Sequence, residues 1–120
     1  MLIPDYYTIV SRHTTPEGEV FCVNLHADSS VYKGHFPSFP VSPGVCNIEM
    51  LKECAELVAG KSLLLTEIKS CKLTTLVTPV QYPMAEVCIN ITKEGEVYSL
   101  SATLGKGTET YLTLKGCLKE

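Results

Sequence analysis

A histidine and a glutamate, fourteen positions apart, have the chemistry for joint acid–base work. His35 lies in the run Gly34-His35-Phe36-Pro37, and Glu49 follows where the second turn of a helix is predicted. Prolines at positions 37, 40 and 43 stiffen the loop between them, so the histidine would lose little conformational freedom when a substrate binds. An unperturbed imidazole titrates near pH 6.5, roughly where a general base works at neutral pH. We therefore expect His35 to be a base and Glu49 its carboxyl partner.

Gly44 and Val45 lie between these two residues, at the start of the same predicted helix. Backbone N–H groups in a first helical turn have no partner inside the helix, and the helix dipole favours negative charge there. A glycine also lets a carbonyl group come close. A base, a carboxyl group and an oxyanion site are the set needed to remove the proton α to a thioester carbonyl and expel a β-hydroxyl group.

The apolar pattern predicts an α+β fold with the element order β-β-α-β-β-β-β. Strands are predicted at 6–13, 19–25, 63–76, 84–92, 97–104 and 109–118. Ser42-Pro43 is a capping side chain followed by proline at the first helical position, and Gly60 is a typical helix-ending residue, so these residues bound the predicted helix. An antiparallel sheet curled about one central helix is the arrangement expected from this order.

The predicted helix is apolar on most sides. Its buried line is expected to be Val45, Ile48, Leu51, Ala55 and Val58, widened by Cys46, Met50, Cys54 and Leu57. Its polar stripe is expected to be Glu49, Lys52, Glu53 and Glu56. A helix with so narrow a polar stripe should be enclosed on most sides.

Composition narrows the class of protein. The chain has 120 residues, 45% of them hydrophobic, and a net charge of −3, which indicates one domain over residues 1–120 and argues against disorder and nucleic-acid binding. No apolar stretch reaches membrane-spanning length, and the N-terminus has no export signal, so a cytoplasmic protein is expected. Six scattered cysteines form no Cys-x-x-Cys pair and are interpreted as small buried hydrophobic residues.

Residues 34–44 and Glu49 resemble the signature of the 3-hydroxyacyl-[acyl-carrier-protein] dehydratases of the FabZ/FabA type. That signature is Gly-His-Phe-Pro-x-x-Pro-x-x-Pro-Gly followed by a carboxylate on the central helix, and every fixed position is matched. The resemblance implies a hot-dog fold, with His35 as catalytic base, Glu49 as acid, and Gly44 and Val45 as oxyanion donors. It also implies that three residues of the proline-rich loop lie at the substrate tunnel or in the loop beside it: Phe36, Phe39 and Pro40.

The same resemblance implies partners and a pathway. The substrate would be an acyl chain on the phosphopantetheine arm of an acyl carrier protein, in fatty acid, polyketide or pigment biosynthesis. The enzyme would be a homodimer or a higher multiple of dimers, with His and carboxylate in one site supplied by opposite subunits. No metal, redox cofactor, nucleic acid or membrane span is implied.

Several positions depart from the family pattern. Met50-Leu51-Lys52-Glu53 stands where the family has Ala-Met-Ala-Gln, and Pro79-Val80-Gln81 stands where it commonly has Pro-Gly-Asp. Ser42 replaces a bulky apolar residue. These departures indicate a divergent branch that serves a polyketide, polyene or pigment pathway.

Two other functions fit the same fold. One is an acyl thioesterase in which Glu49 activates water, and the other is a module that binds an acyl carrier protein without catalysis. His13 and His26 have no carboxylate partner in sequence and are assigned no role. A small basic rim for an acidic carrier protein is predicted at Lys33, Arg12 and Lys52.

Overall fold

The computed structural model describes residues 3, 5–30, 44–74 and 83–120. Within these ranges the chain forms six strands and one helix, in the predicted order. The strands are β1 (Tyr7–Thr15), β2 (Gly18–Leu25), β3 (Leu64–Leu73), β4 (Met84–Glu94), β5 (Val97–Lys106) and β6 (Glu109–Lys119). The helix α1 (Gly44–Ala59) lies between β2 and β3 along the chain. The predicted α+β arrangement is confirmed.

All six strands belong to one antiparallel sheet with the order β1-β2-β4-β5-β6-β3. The consecutive strands β4, β5 and β6 are joined by two-residue connections. Each of these strands is therefore longer than the sequence pattern predicts. Gly95 and Gly107 make these tight turns possible because their φ angles of 63° and 62° lie in the left-handed region.

The helix lies across the middle of the sheet, against β4 and β5. Its fully buried apolar residues are Met50, Leu51, Cys54 and Ala55. Ile48 and Val58, which the sequence placed on the buried line, are only partly buried. Met50 and Cys54 are buried as predicted, whereas Leu57 is 44% exposed, because the position of the helix over β4 and β5 decides which of its apolar residues face the core.

The cysteines are less uniform than predicted. Cys54 is buried and Cys71 is exposed, while the other four have intermediate exposure. Of the six cysteines that were expected to be buried, Cys54 is buried in the core and Cys46 packs against it while partly exposed. Among the described residues, α1 falls short of the length and apolarity that crossing a lipid bilayer requires.

Candidate active site

The start of α1 carries the helical half of the predicted site. Gly44 and Val45 are the first two helical residues, and Glu49 follows in the second turn, as the sequence predicted. The other candidate residues lie outside the described part of the chain: His35, Phe36, Phe39 and Pro40, together with Lys33 and Val80-Gln81.

Glu49 is held by a chain of charged contacts along the helix. Lys52 Nζ lies 3.2 Å from Glu49 Oε1 and 3.8 Å from Glu56 Oε1. The other oxygen of Glu56 accepts a hydrogen bond from the backbone N–H of Leu63 at 2.8 Å. The side chain of Lys52 is 19% exposed, whereas that of Glu49 is 41% exposed. The Lys52 ammonium group is thus held between two glutamates. The carboxyl group of Glu49 is more exposed than the lysine that contacts it.

Glu53 differs from its neighbours on the predicted polar stripe because it is buried, with 4% of its surface exposed. The hydroxyl of Tyr7 on β1 donates a hydrogen bond of 3.0 Å to Glu53 Oε1. Burial raises the pKa of the Tyr7 phenol above its ordinary value, and the neighbouring Cys54 and Glu53 raise it further. Burial also raises the pKa of the Cys54 thiol to about 12. This corner of the core therefore keeps its phenol and thiol neutral around the carboxyl group.

A second tyrosine reaches the helix through a neighbouring contact. The hydroxyl of Tyr6 donates a hydrogen bond of 2.7 Å to Oδ1 of Asn47, which is 1% exposed. The two adjacent tyrosines thus bind helix positions 47 and 53, on either side of Glu49 along the helix. Sequence reasoning missed Tyr6, Tyr7 and Asn47. The available signal was a polar Asn47 in an otherwise apolar stretch of helix.

A groove of about 640 Å³ runs along α1 from Glu49 towards Gly60. Tyr7 lines it from β1, while Lys52, Glu53 and the half-exposed Leu57 line it from the helix. Its volume is within the roughly 300–1,000 Å³ typical of small-molecule sites. A carboxyl group beside an ammonium group in such a groove can exchange a proton or a hydrogen bond with a bound hydroxyl, which makes the groove the candidate active site.

The two described residues of the predicted basic rim, Arg12 and Lys52, are engaged within the chain. Arg12 pairs with Glu19 and lies 5.1 Å from the ring centre of Phe21, and Lys52 pairs with two helix carboxylates. His26 Nε2 lies 3.1 Å from Thr8 Oγ1, in keeping with a structural role. In the described ranges, no group of three or more His, Cys, Asp or Glu residues is arranged to hold a metal ion.

Comparison with known sequences finds relatives that are described as dehydratases. The model of the ApeI-like family, described as ApeI dehydratase, matches residues 12–110. A "3-hydroxyacyl-[acyl-carrier-protein] dehydratase FabZ" from Lactiplantibacillus plantarum is 37% identical over 65% of this chain and 61% of its own length. The FabZ of Macrococcus caseolyticus is 27% identical over 91% of this chain and 78% of its own length. The chain thus matches about three fifths of the L. plantarum relative, and the resemblance seen in the sequence is confirmed.

Solved structures give the same fold. The structure entitled "The Dehydratase Heterocomplex ApeI:P from Xenorhabdus doucetiae" superposes with a TM-score of 0.72 at 18% identity, covering 94% of this chain and 97% of that one. An uncharacterized protein from Erwinia carotovora subsp. atroseptica superposes with a TM-score of 0.66 at 18% identity, covering 94% of each chain. These superpositions confirm the predicted hot-dog architecture.

Proposed function

The chain belongs to the ApeI-like dehydratase family, and we propose on that premise that it removes water from 3-hydroxyacyl thioesters to give trans-2-enoyl thioesters. Residues 1–120 would act as one hot-dog domain. The substrate would arrive on the phosphopantetheine arm of an acyl carrier protein. The named FabZ relatives support this substrate class.

The proposed reaction uses four residues. His35 takes the proton from the α-carbon, and the electron pair left behind forms the α–β double bond as the β-carbon–oxygen bond breaks. Glu49 gives its proton to the departing hydroxyl group, which leaves as water. The N–H groups of Gly44 and Val45 hold the negative charge that develops on the thioester oxygen. Phe36, Phe39 and Pro40 would border the acyl chain.

One observation carries the proposal: Glu49 lines the groove, in the helix whose first two residues are Gly44 and Val45. A carboxyl group in the second turn and the first-turn N–H groups, which have no partner inside the helix, are fixed relative to each other by the helix geometry. Elimination requires that relation, since charge develops at the carbonyl oxygen while the β-hydroxyl two carbons away receives a proton.

The test is turnover of a 3-hydroxyacyl carrier protein, followed by the absorbance of the enoyl thioester and by mass spectrometry. His35→Ala and Glu49→Gln should each abolish activity, whereas the exposed His13→Ala and Glu94→Gln are matched controls that should keep it. Activity that survives both site variants would refute the assignment. Release of free thiol would instead identify a thioesterase, and tight acyl binding without turnover would identify a carrier-binding module.

We also propose that the chain forms a homodimer through β3, which is a terminal strand of the sheet. Ile68, Cys71 and Leu73 are paired with Gly116, Leu114 and Leu112 of β6, all of which are buried on the helix side. The three β3 residues therefore point towards the helix side as well. All three are exposed in the single chain, with Ile68 at 48% and Leu73 at 50%.

The opposite edge of the sheet differs. On β1, Tyr7 faces the helix side and is fully buried. An apolar strip on the core side of an edge strand, next to unpaired backbone groups, is completed by a second copy that continues the sheet. The site would then sit beside the subunit boundary, which agrees with the shared site that the FabZ/FabA resemblance implies.

Sedimentation at several protein concentrations tests the dimer. Ile68→Asp should shift the chain towards monomer and lower its activity in parallel. Val10→Asp is the matched control, because Val10 is 60% exposed on β1 at the other edge. If Val10→Asp disrupts the dimer and Ile68→Asp does not, β3 is not the interface.

A specialised pathway, for a polyketide, polyene or pigment, is proposed as the setting. The ApeI-like family match and the departures at Lys52 and Glu53 support it. Rates with carrier proteins that bear saturated and polyunsaturated 3-hydroxyacyl chains of equal length would test it. A preference for the saturated chains would favour bulk fatty acid synthesis instead.

A further inference from the structure

Lys52 stands where the FabZ/FabA pattern has a small alanine, and it touches the carboxyl group proposed as the acid. Its ammonium group donates to Glu49 Oε1 at 3.2 Å. Among the described residues, Glu49 is bonded through Oε1 alone. A carboxylic acid carries its proton on one oxygen and accepts hydrogen bonds on the other, so an ammonium group at Oε1 leaves Oε2 as the oxygen that carries the proton.

Lys52 itself is held from the opposite side. Glu56 Oε1 lies 3.8 Å from its Nζ, and Glu56 Oε2 is fixed by the N–H of Leu63, just beyond the end of α1. The Lys52 side chain is 19% exposed and that of Glu56 is 22% exposed, which restricts both side chains more than a surface ion pair would. The contacts form a series from the backbone after the helix to the groove: Leu63, Glu56, Lys52, Glu49.

We infer that Lys52 is a positioning residue for the dehydration: it occupies Oε1 of Glu49, so that the proton given to the leaving hydroxyl group is carried on Oε2, and Glu56 holds Lys52 in place. The inference rests on the proposed function of Glu49. Lys52 does not touch the reacting atoms and takes no proton from the substrate. Its role is to fix the orientation of the acid that does.

The experiment compares Lys52→Met, Lys52→Arg and Glu56→Gln with the wild type in the carrier-protein assay, with kcat and KM measured separately. Misplacing a reacting group costs about tenfold or more in rate, so Lys52→Met should lower kcat about tenfold with KM unchanged. Lys52→Arg, which keeps a positively charged donor at this position, should stay within about threefold of the wild type. Lys106→Ala, an exposed lysine on β5, is the control and should keep full activity.

Glu56→Gln gives a second, independent test because glutamine still accepts the Leu63 hydrogen bond while losing the charge that faces Lys52. Glu56→Gln should lower kcat when it is introduced alone. In the Lys52→Met background the same substitution should cause no further loss of kcat, because Glu56 acts only through Lys52. Thermal unfolding of each variant checks folding. Both methionine and glutamine are good helix formers at these positions.

The inference is overturned if Lys52→Met lowers kcat less than about fivefold, if Lys52→Arg falls as far as Lys52→Met, or if Glu56→Gln adds its full effect to Lys52→Met. An inactive wild type would refute the dehydratase proposal itself, so the two failures are distinguishable. A Lys52→Met variant with raised KM and unchanged kcat would show a role in binding instead and would likewise overturn the inference.

Discussion

Replacing Tyr7 by phenylalanine removes one hydroxyl group from the core and leaves its ring in place. That hydroxyl donates 3.0 Å to Glu53 Oε1, and both side chains are buried, at 0% and 4% exposure. The carboxyl group of Glu53 would then lose a donor at a position where only 4% of its surface is exposed to water. We expect Tyr7→Phe to destabilise the chain.

Tyr6 offers a matched comparison for the size of the effect. Its hydroxyl is equally buried and donates 2.7 Å to the amide oxygen of Asn47, which is a neutral acceptor. Hydrogen bonds between neutral groups contribute about 1 kcal/mol, and bonds to charged groups about 1.5–3 kcal/mol. We therefore expect Tyr7→Phe to lower the free energy of unfolding by about 2 kcal/mol, and Tyr6→Phe by about 1 kcal/mol.

The measurement is equilibrium unfolding in urea at pH 7, at one fixed protein concentration because a dimer would make stability concentration-dependent. The double variant Tyr7→Phe/Glu53→Gln completes a cycle. Since a glutamine side chain is neutral, removing the Tyr7 hydroxyl from the Glu53→Gln background should cost about 1 kcal/mol, so the cycle should show a coupling of about 1 kcal/mol.

The reasoning would be refuted by a Tyr7→Phe variant that is as stable as the wild type, or no less stable than Tyr6→Phe. It would also be refuted by a zero coupling energy in the cycle. Either result would mean that Glu53 draws its stabilisation from other neighbours.

Three further predictions concern the pH dependence and the backbone. Because burial raises the pKa of Cys54 from 9.0 to about 12, the stability that its neutral thiol contributes is fully present below pH 9 and is lost as the pH rises from 9 towards 12. Stability should fall there more steeply in the wild type than in Cys54→Ala, by up to about 1.4 kcal/mol per pH unit, and equal slopes would contradict the assignment. Gly116→Ala should lower the free energy of unfolding in urea by roughly 1–3 kcal/mol, because a Cβ atom there would lie 2.3 Å from the carbonyl oxygen of Glu67 on β3. An unchanged urea midpoint would show that β3 shifts freely. Gly60→Ala should lower the free energy of unfolding by about 1 kcal/mol, although there is open space around Gly60, because its φ of 75° ends the helix in the left-handed region. Gly60→Asn should lower it less, because asparagine tolerates that region better than alanine. An equal loss of stability in both variants would argue against backbone strain.

Most of the fold could be predicted from local pattern. Ser42-Pro43 and Gly60 placed the helix boundaries within one or two residues of Gly44–Ala59, because capping chemistry is local. The order of strands along the chain was predicted for the same reason. The strand ends were less accurate, since the two-residue turns at Gly95 and Gly107 depend on pairing between whole strands.

The sequence placed Gly44, Val45 and Glu49 on the helix from the start signals at Ser42-Pro43, and their roles in the site stay a prediction. The role of Tyr6 and Tyr7 could not be predicted, because they lie 41 and 46 residues from their partners along the chain, a separation at which no periodicity gives information.

Glu53 shows most directly what the sequence and the tertiary structure each decide. The sequence by itself placed it on the polar stripe beside Glu49 and Lys52, because a helical wheel assigns residues to faces by type and spacing. The tertiary structure buried it, because β1 brings the Tyr7 hydroxyl to that side of the helix and a hydrogen-bonded carboxyl group can leave water at an acceptable cost. The sequence determined the family, the element order and the chemistry available on the helix. Only the packing of β1 against α1 decided that Glu53, alone among the four charged side chains of the stripe, is buried.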